Sequence, residues 1–288
     1  MKIATLQYAG TEQAAIVLSK GYVLIETLNQ NQEKQWKTNL LDILNSGQLK
    51  EITDWYNHGG KDKLLEMEQV SKGEVKFGPL YREPKKIWGI GINYVEESTE
   101  VSDISYSDPV SFMKPDTSII GPGDFIQIPA GSTNTTAEAE LGIVIGKKCY
   151  NISEEEAKDY VAGFTTTLDM TEADIHSENP RFLTRAKSFN TFFSFGPYLR
   201  TTDEISDIFD LQVSTVLNDE VKCTNFISNM RYNPWFVVAF HSKVMTLLPG
   251  DILITGTPGP VVLRDGDVVE CRISDFEPLV NPVHKSNG

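Results

Sequence analysis

The chain has 288 residues, 40% of them hydrophobic, and a formal net charge of -14 at pH 7. That length can bury a sizeable core and favours one large domain plus a small one. The acidic balance argues against nucleic acid or an anionic membrane as the main partner, and no run is long and apolar enough to span a bilayer.

The opening stretch MKIATLQYAG has one lysine and then breaks into polar and glycine residues, unlike a secretory signal. Residues 1–80 read as a small N-terminal α+β domain, and 81–288 as a larger, mostly β domain. The first part begins with strand-like runs, KIATLQY, AAIVLS and YVLIETL, separated by turn residues. NLLDILNSGQLKEITDWYNHGG follows as a helical stretch that ends on a glycine pair. KFGPLYREPKK is proline-containing, polar and without period, and reads as a linker.

Two helix starts are legible in the larger part. ISEEEAKDYVAGF offers Ser153 and Glu156 as a capping box. NPWFVVAFHSKVMTL puts Asn233 at the cap and Pro234 at the first helical position. Around them lie short runs, LQVSTVLNDEVK, GDILITGTPG and GDVVECRI, with LNDE as a hairpin-type turn. The expected fold is α+β and mostly β, with a rolled or barrel-like set of sheets. Strand and helix do not alternate, and no Gly-x-Gly-x-x-Gly follows a strand, which sets a Rossmann fold aside. Cys149, Cys223 and Cys271 are odd in number and far apart, so reduced thiols in a cytoplasmic protein are expected, without a disulfide framework or a thiolate metal site.

The run TTAEAELGIVIGKK carries an unusual pair. Its apolar half is an interior strand, yet Glu138 and Glu140 stand at its entrance. Residues i and i+2 of a strand share a face, and burying two unpaired glutamates side by side is costly. One reading is a solvated strand edge. The other is a cation site, because a third acid, Asp169, ends the strand-like run AGFTTTL. Three carboxylates without cysteines suit a hard divalent cation, Mg²⁺, Mn²⁺ or Ca²⁺. His176 follows as a ligand, a substrate contact or an exposed loop residue.

In TRAKSFNTFFSFGP, Lys187 has Ser188, Phe189 and Phe192 close by. A desolvated lysine beside a cation can hold an anionic substrate group; a surface lysine at a strand edge is the alternative. GDILITGTPGP ends a strand in a Gly/Pro turn with Thr255 and Thr257 on one face, either presenting hydroxyls and amides to a carboxylate or forming a plain tight turn.

KKIWGIGINY, FMKP, EAELGIVIGKK, GFTTTLDMTEAD, KSFNTFFSFGP, LLPGDILITGTPG and LVNPV occur in the order and spacing of the fumarylacetoacetate hydrolase family, which the chain resembles from about Lys86 to Val283. The resemblance implies a rolled β architecture in the larger domain, a homodimer, and a divalent metal at Glu138, Glu140 and Asp169. It implies a small keto-acid substrate whose carbonyl, enol and carboxylate oxygens chelate the metal. Members cleave carbon–carbon bonds of acylpyruvates, decarboxylate oxaloacetate-like acids, or isomerise keto acids, through an enolate that the cation stabilises. Lys187 matches the family lysine, Thr257 the threonine that contacts the substrate acid, and Tyr94 the tyrosine of the Gly-x-Asn-Tyr motif.

The departures are informative. In GINYVEESTE, Glu97 stands where the family has the histidine of its water-activating dyad, and Glu100 matches the glutamate. Imidazole is a base near neutral pH, whereas two neighbouring carboxylates must share a proton or keep apart. Ala173, Asn190 and Pro260 replace a common arginine, aspartate and glycine. Decarboxylation and keto–enol isomerisation survive the loss of that histidine better than hydrolysis does. The other reading is a metal- and ligand-binding relative with little catalysis. The acidic stretch NYVEESTEVSDISYSDP resembles the family's lid, which implies that Glu97 and Glu100 approach the pocket on closure.

Overall fold

The computed structural model describes residues 1–96 and 108–285. Glu97, Glu100 and the stretch expected to form a lid lie largely outside the described residues. The principal elements are numbered along the chain.

The first two apolar runs form β1 (Lys2–Tyr8) and β2 (Thr11–Val17), joined by a turn in which Ala9 and Gly10 take positive φ. The expected strand YVLIETL divides: β3 (Gly21–Leu24) stops at Leu24, and Ile25–Gln32 forms α1. The reason is periodicity, because Ile25 and Leu28 are one helical turn apart and both are buried. The helical stretch is two helices, α2 (Leu40–Asn45) and α3 (Gln48–Trp55), with the chain turned between them by Gly47 at a φ of 74°. Asn39 caps α2 by accepting from the backbone N–H groups of Leu41 and Asp42. KFGPLYREPKK is no free linker: Lys76–Phe77 pairs with β1, and Leu80 and Tyr81 are buried. Its apolar pair, Leu80 and Tyr81, joins the same core as α1 to α3.

The remaining principal strands are β4 (Ile87–Gly91), β5 (Val110–Lys114), β6 (Thr135–Ile145), β7 (Val161–Glu172), β8 (Tyr198–Thr201), β9 (Gln212–Leu217), β10 (Glu220–Phe226), β11 (Ile252–Ile254), β12 (Pro260–Val262), β13 (Val268–Ile273) and β14 (Leu279–Lys285). Helices α4 (Ala173–Glu178), α5 (Leu183–Lys187) and α6 (Pro234–Val244) lie among them. One large sheet runs β3-β2-β1-β8-β7-β6-β11-β4-β5. Its path ends in β5, so the sheet is rolled and not closed into a barrel. β1 pairs antiparallel with β8, which carries the N-terminal strands onto the sheet of the larger part. A second sheet, β10-β9-β13-β14 and then Ile126–Ile128, packs against the first through a shared apolar core.

Local signals fare unevenly. Asn233 caps α6 with Pro234 at its first position, as expected. Asn218 and Asp219 take positive φ in the two-residue turn between β9 and β10, the geometry that hairpins favour. The capping box also forms: Ser153 N–H donates to Glu156 at 2.8 Å, and Glu156 N–H to Ser153 Oγ at 3.3 Å. Only a single 3₁₀ turn, Ala157–Tyr160, follows it, because Val161 begins β7 and its ladder takes the chain. Cys149, Cys223 and Cys271 are free thiols. Among the described residues no helix is long and apolar enough to cross a membrane.

Candidate active site

The site is built on the longest ladder of the molecule. β6 pairs with β7 on one side and with β11 and β12 on the other. Glu138 and Glu140 are therefore on a central strand, and the solvated-edge reading does not hold. The register sets Glu138 directly opposite Asp169, and Glu140 opposite Thr167. Opposed residues of an antiparallel pair project to one face. One oxygen from each of Glu138, Glu140 and Asp169 lies within 4.8 Å of the others.

Two lysines enter this cluster. Lys187, the last residue of α5 and not a strand-edge residue, donates to Glu138 Oε2 at 2.9 Å, Asp169 Oδ2 at 2.5 Å and Thr171 Oγ1 at 2.7 Å. Its ammonium also lies 4.5 Å from the centre of the Phe112 ring. Burial works against its charge, but Asp169, Glu138 and Glu140 outweigh that and hold its pKa above the ordinary value. Lys114 is the residue that sequence reasoning missed. It is fully buried at the end of β5 and donates to Asp169 Oδ1 at 2.6 Å and to Met170 O at 3.0 Å. Burial lowers its pKa to about 8 against the pull of Asp169. The signal was the alternation in VSFMK, which puts Lys114 in phase with buried Phe112.

Both oxygens of Asp169 thus accept from lysines, whereas Glu138 and Glu140 each have one oxygen engaged by the protein. Glu140 Oε2 accepts from Gly256 N–H at 2.7 Å, and Thr171 Oγ1 donates to Glu138 Oε2 at 3.2 Å. Burial, then Asp169 and Glu138, push Glu140 well above the usual carboxylate range, while Lys187 and Gly256 N–H oppose them. Among the described residues two lysines, Lys114 and Lys187, face the three carboxyl groups. All three converging donors are carboxylate oxygens, the ligand chemistry of Mg²⁺, Mn²⁺ and Ca²⁺. That all-oxygen donor set fits a hard divalent cation.

The other expected residues are less united. Tyr94 is bridged to Met230, and its hydroxyl is buried without a hydrogen-bond partner among the described residues. Burial and then nearby Glu140 raise its pKa far above the phenol value. Thr257 follows Gly256 and is half-buried, but its hydroxyl turns onto Gly259 O at 3.2 Å. Thr255 Oγ1 likewise donates to Leu141 O, so the turn offers a backbone amide to a carboxylate and ties its hydroxyls to the main chain. His176 is half-buried on α4 and makes no hydrogen bond to the three carboxylates among the described residues.

A rolled, mostly β fold with carboxylates and lysines gathered at its central ladder defines the class, and the chain belongs to the fumarylacetoacetate hydrolase family. Residues 86–284 match the family model described as fumarylacetoacetate (FAA) hydrolase C-terminal. The mitochondrial oxaloacetate tautomerase of Xenopus laevis is 39% identical over 223 residues, 74% of this chain and 70% of that protein. The fumarylacetoacetate hydrolase of Exiguobacterium antarcticum has the same fold, with a TM-score of 0.82 and 25% identity over 99% of this chain and 100% of that one. A maleylpyruvate hydrolase from Sphingobium sp. SYK-6, solved with manganese(II) and pyruvate, superposes with a TM-score of 0.81 at 24% identity, both chains being fully covered.

Proposed function

We propose that this chain is a divalent-metal-dependent enzyme that interconverts the keto and enol forms of a small 2-oxo dicarboxylic acid of the oxaloacetate type. The observation that carries the reading is the convergence of Glu138, Glu140 and Asp169 on one face, the last two buried, with the Lys187 ammonium among them. The likeness to a relative named as an oxaloacetate tautomerase supports that choice of substrate. The replacement of the dyad histidine by Glu97 supports a reaction without activated water.

Glu138, Glu140 and Asp169 would hold the cation. When bound, it supplies a Lewis acid that draws electron density from a carbonyl oxygen. The chain's own groups do the rest. Lys187 offers the substrate's carboxylate, or the negative charge growing on its oxygen, an ammonium kept charged by its neighbours. Tyr94, whose O–H has no hydrogen-bond partner among the described residues, would donate it to a substrate oxygen beside Glu140. The Phe112 ring lies against the Lys187 ammonium, and Lys114, Glu140 and Asp169 are buried, a low-dielectric setting that strengthens both interactions.

Glu97 also favours a second reading, a relative that binds metal and ligand with little turnover. One experiment separates the two. The loss of enol absorbance of oxaloacetate is followed with metal-free protein, with added Mg²⁺ or Mn²⁺, and with Glu140→Gln under the same conditions. The reading predicts acceleration only with metal and intact Glu140. Pyruvate release from oxaloacetate or from acylpyruvates as the faster reaction would reassign the chemistry. No acceleration of any of these by metal-loaded protein would favour the binding relative.

A further inference from the structure

β4 ends at Gly91, and the next residue turns the chain in an unusual way. Ile92 has a φ of 56° although it is β-branched, and the residue is 73% exposed. Non-glycine residues avoid that region, β-branched ones most of all. No burial of Ile92 offsets the strain. What the turn achieves is the inward placement of Asn93, which is 1% exposed.

Asn93 uses its whole carboxamide. Nδ2 donates to Thr255 O at 2.7 Å and to Tyr232 O at 3.0 Å, and Oδ1 accepts from Tyr232 N–H at 2.8 Å. Its backbone carbonyl accepts from Arg231 N–H at 2.7 Å. The bond to Thr255 O has a consequence on the far side of the same peptide unit. Thr255 O and Gly256 N–H belong to one planar trans peptide, in which the two groups point in opposite directions. Gly256 N–H is the group that donates to Glu140 Oε2 at 2.7 Å. Gly256 itself has a φ of +85°, and a Cβ there would lie 2.9 Å from Asn93 Cβ and 3.2 Å from Ile90 O. The close approach of Asn93 to this peptide therefore requires glycine.

We infer that Asn93 is a positioning residue for Glu140: it fixes the Thr255–Gly256 peptide plane, whose N–H holds one oxygen of Glu140 and leaves the other as a ligand. The inference rests on the metal reading of the site. Outer hydrogen bonds of this kind orient ligands, and their loss typically lowers metal affinity about 10- to 100-fold.

A merely structural Asn93 would staple the loops and do nothing more, so the test needs a matched control. Asn281 supplies it: it is fully buried and donates to Gly121 O and Asp124 O, both at 2.8 Å, in the same chemistry elsewhere. Mn²⁺ affinity of the metal-free, full-length protein is measured by calorimetry, and Tm without metal by scanning calorimetry, for wild type, Asn93→Ala, Asn281→Ala and Gly256→Ala. The expected result is a loss of Mn²⁺ affinity of about tenfold or more in Asn93→Ala, with Asn281→Ala within about twofold of wild type despite a lowered Tm. Asn93→Ala binding as tightly as wild type, or Asn281→Ala losing as much affinity, overturns the inference. If Asn93→Ala does not fold, Gly256→Ala displaces the same peptide from its other end and decides the matter in the same way. A wild-type protein that binds no Mn²⁺ overturns the metal reading itself, a failure visible before any variant is compared.

Discussion

Lys114 Nζ lies 2.6 Å from Asp169 Oδ1, and neither side chain has any solvent exposure. A buried pair of this kind is not by itself strongly stabilising, but removing one partner leaves an uncompensated charge. Here Asp169 keeps Lys187 as a partner, so Lys114→Met leaves only Asp169 Oδ1 unsatisfied and should cost about 1–3 kcal/mol in urea unfolding of the metal-free protein. Lys114→Met combined with Asp169→Asn should recover part of that loss. A cost below about 1 kcal/mol would place the pair among interactions of little weight.

Lys187 should behave differently from Lys114. Its ammonium binds oxygens of Glu138 and Asp169, two of the carboxylates that would hold the cation, so it would compete with metal binding while serving the reaction. Lys187→Met should lower turnover about 10²-fold or more, as the loss of a charge placed at the developing oxyanion does. Mn²⁺ affinity in the same variant should stay level or rise. A fall in affinity with unchanged kcat would make Lys187 a support for the ligands and remove it from the chemistry.

His241 gives the fold a pH-sensitive point away from the site. On α6, its Nδ1 faces Val237 O at 2.8 Å and its Nε2 faces Ser111 Oγ at 3.0 Å, with the Trp88 and Phe240 rings against it. Burial lowers its pKa from the usual histidine value. The unfolded chain then binds the proton more readily than the folded one, so stability is present above about pH 6.5 and lost as pH falls through the folded pKa. His241→Gln should flatten the acid side of the stability profile without changing the neutral plateau's slope. An unchanged acid limb in that variant would assign the loss to other groups.

What was legible in the sequence follows the range of the interaction. Glu138 and Glu140 could be placed on one face because strand alternation is local. Their register against Asp169 could not, since nothing within either strand states which residue stands opposite. The Ser153 capping box is a three-residue pattern and formed as read, yet the helix after it did not, because pairing of β7 with distant β6 overrode it. Lys114 was in plain view in VSFMK, but its phase with Phe112 means burial only once β5 is known to be a strand. Asn93 and Gly256 meet across the fold, and their relation is visible only in three dimensions.

The central claim is that Glu138, Glu140 and Asp169 bind one divalent cation together, and diffraction from crystals soaked in Mn²⁺ and pyruvate tests it most directly. Anomalous scattering at the manganese edge should show a single strong peak with oxygens of all three carboxylates at about 2.0–2.6 Å, and with the Lys187 ammonium turned toward the bound acid. A peak elsewhere, or none at this cluster while Lys187 stays locked between Glu138 and Asp169, would contradict the account.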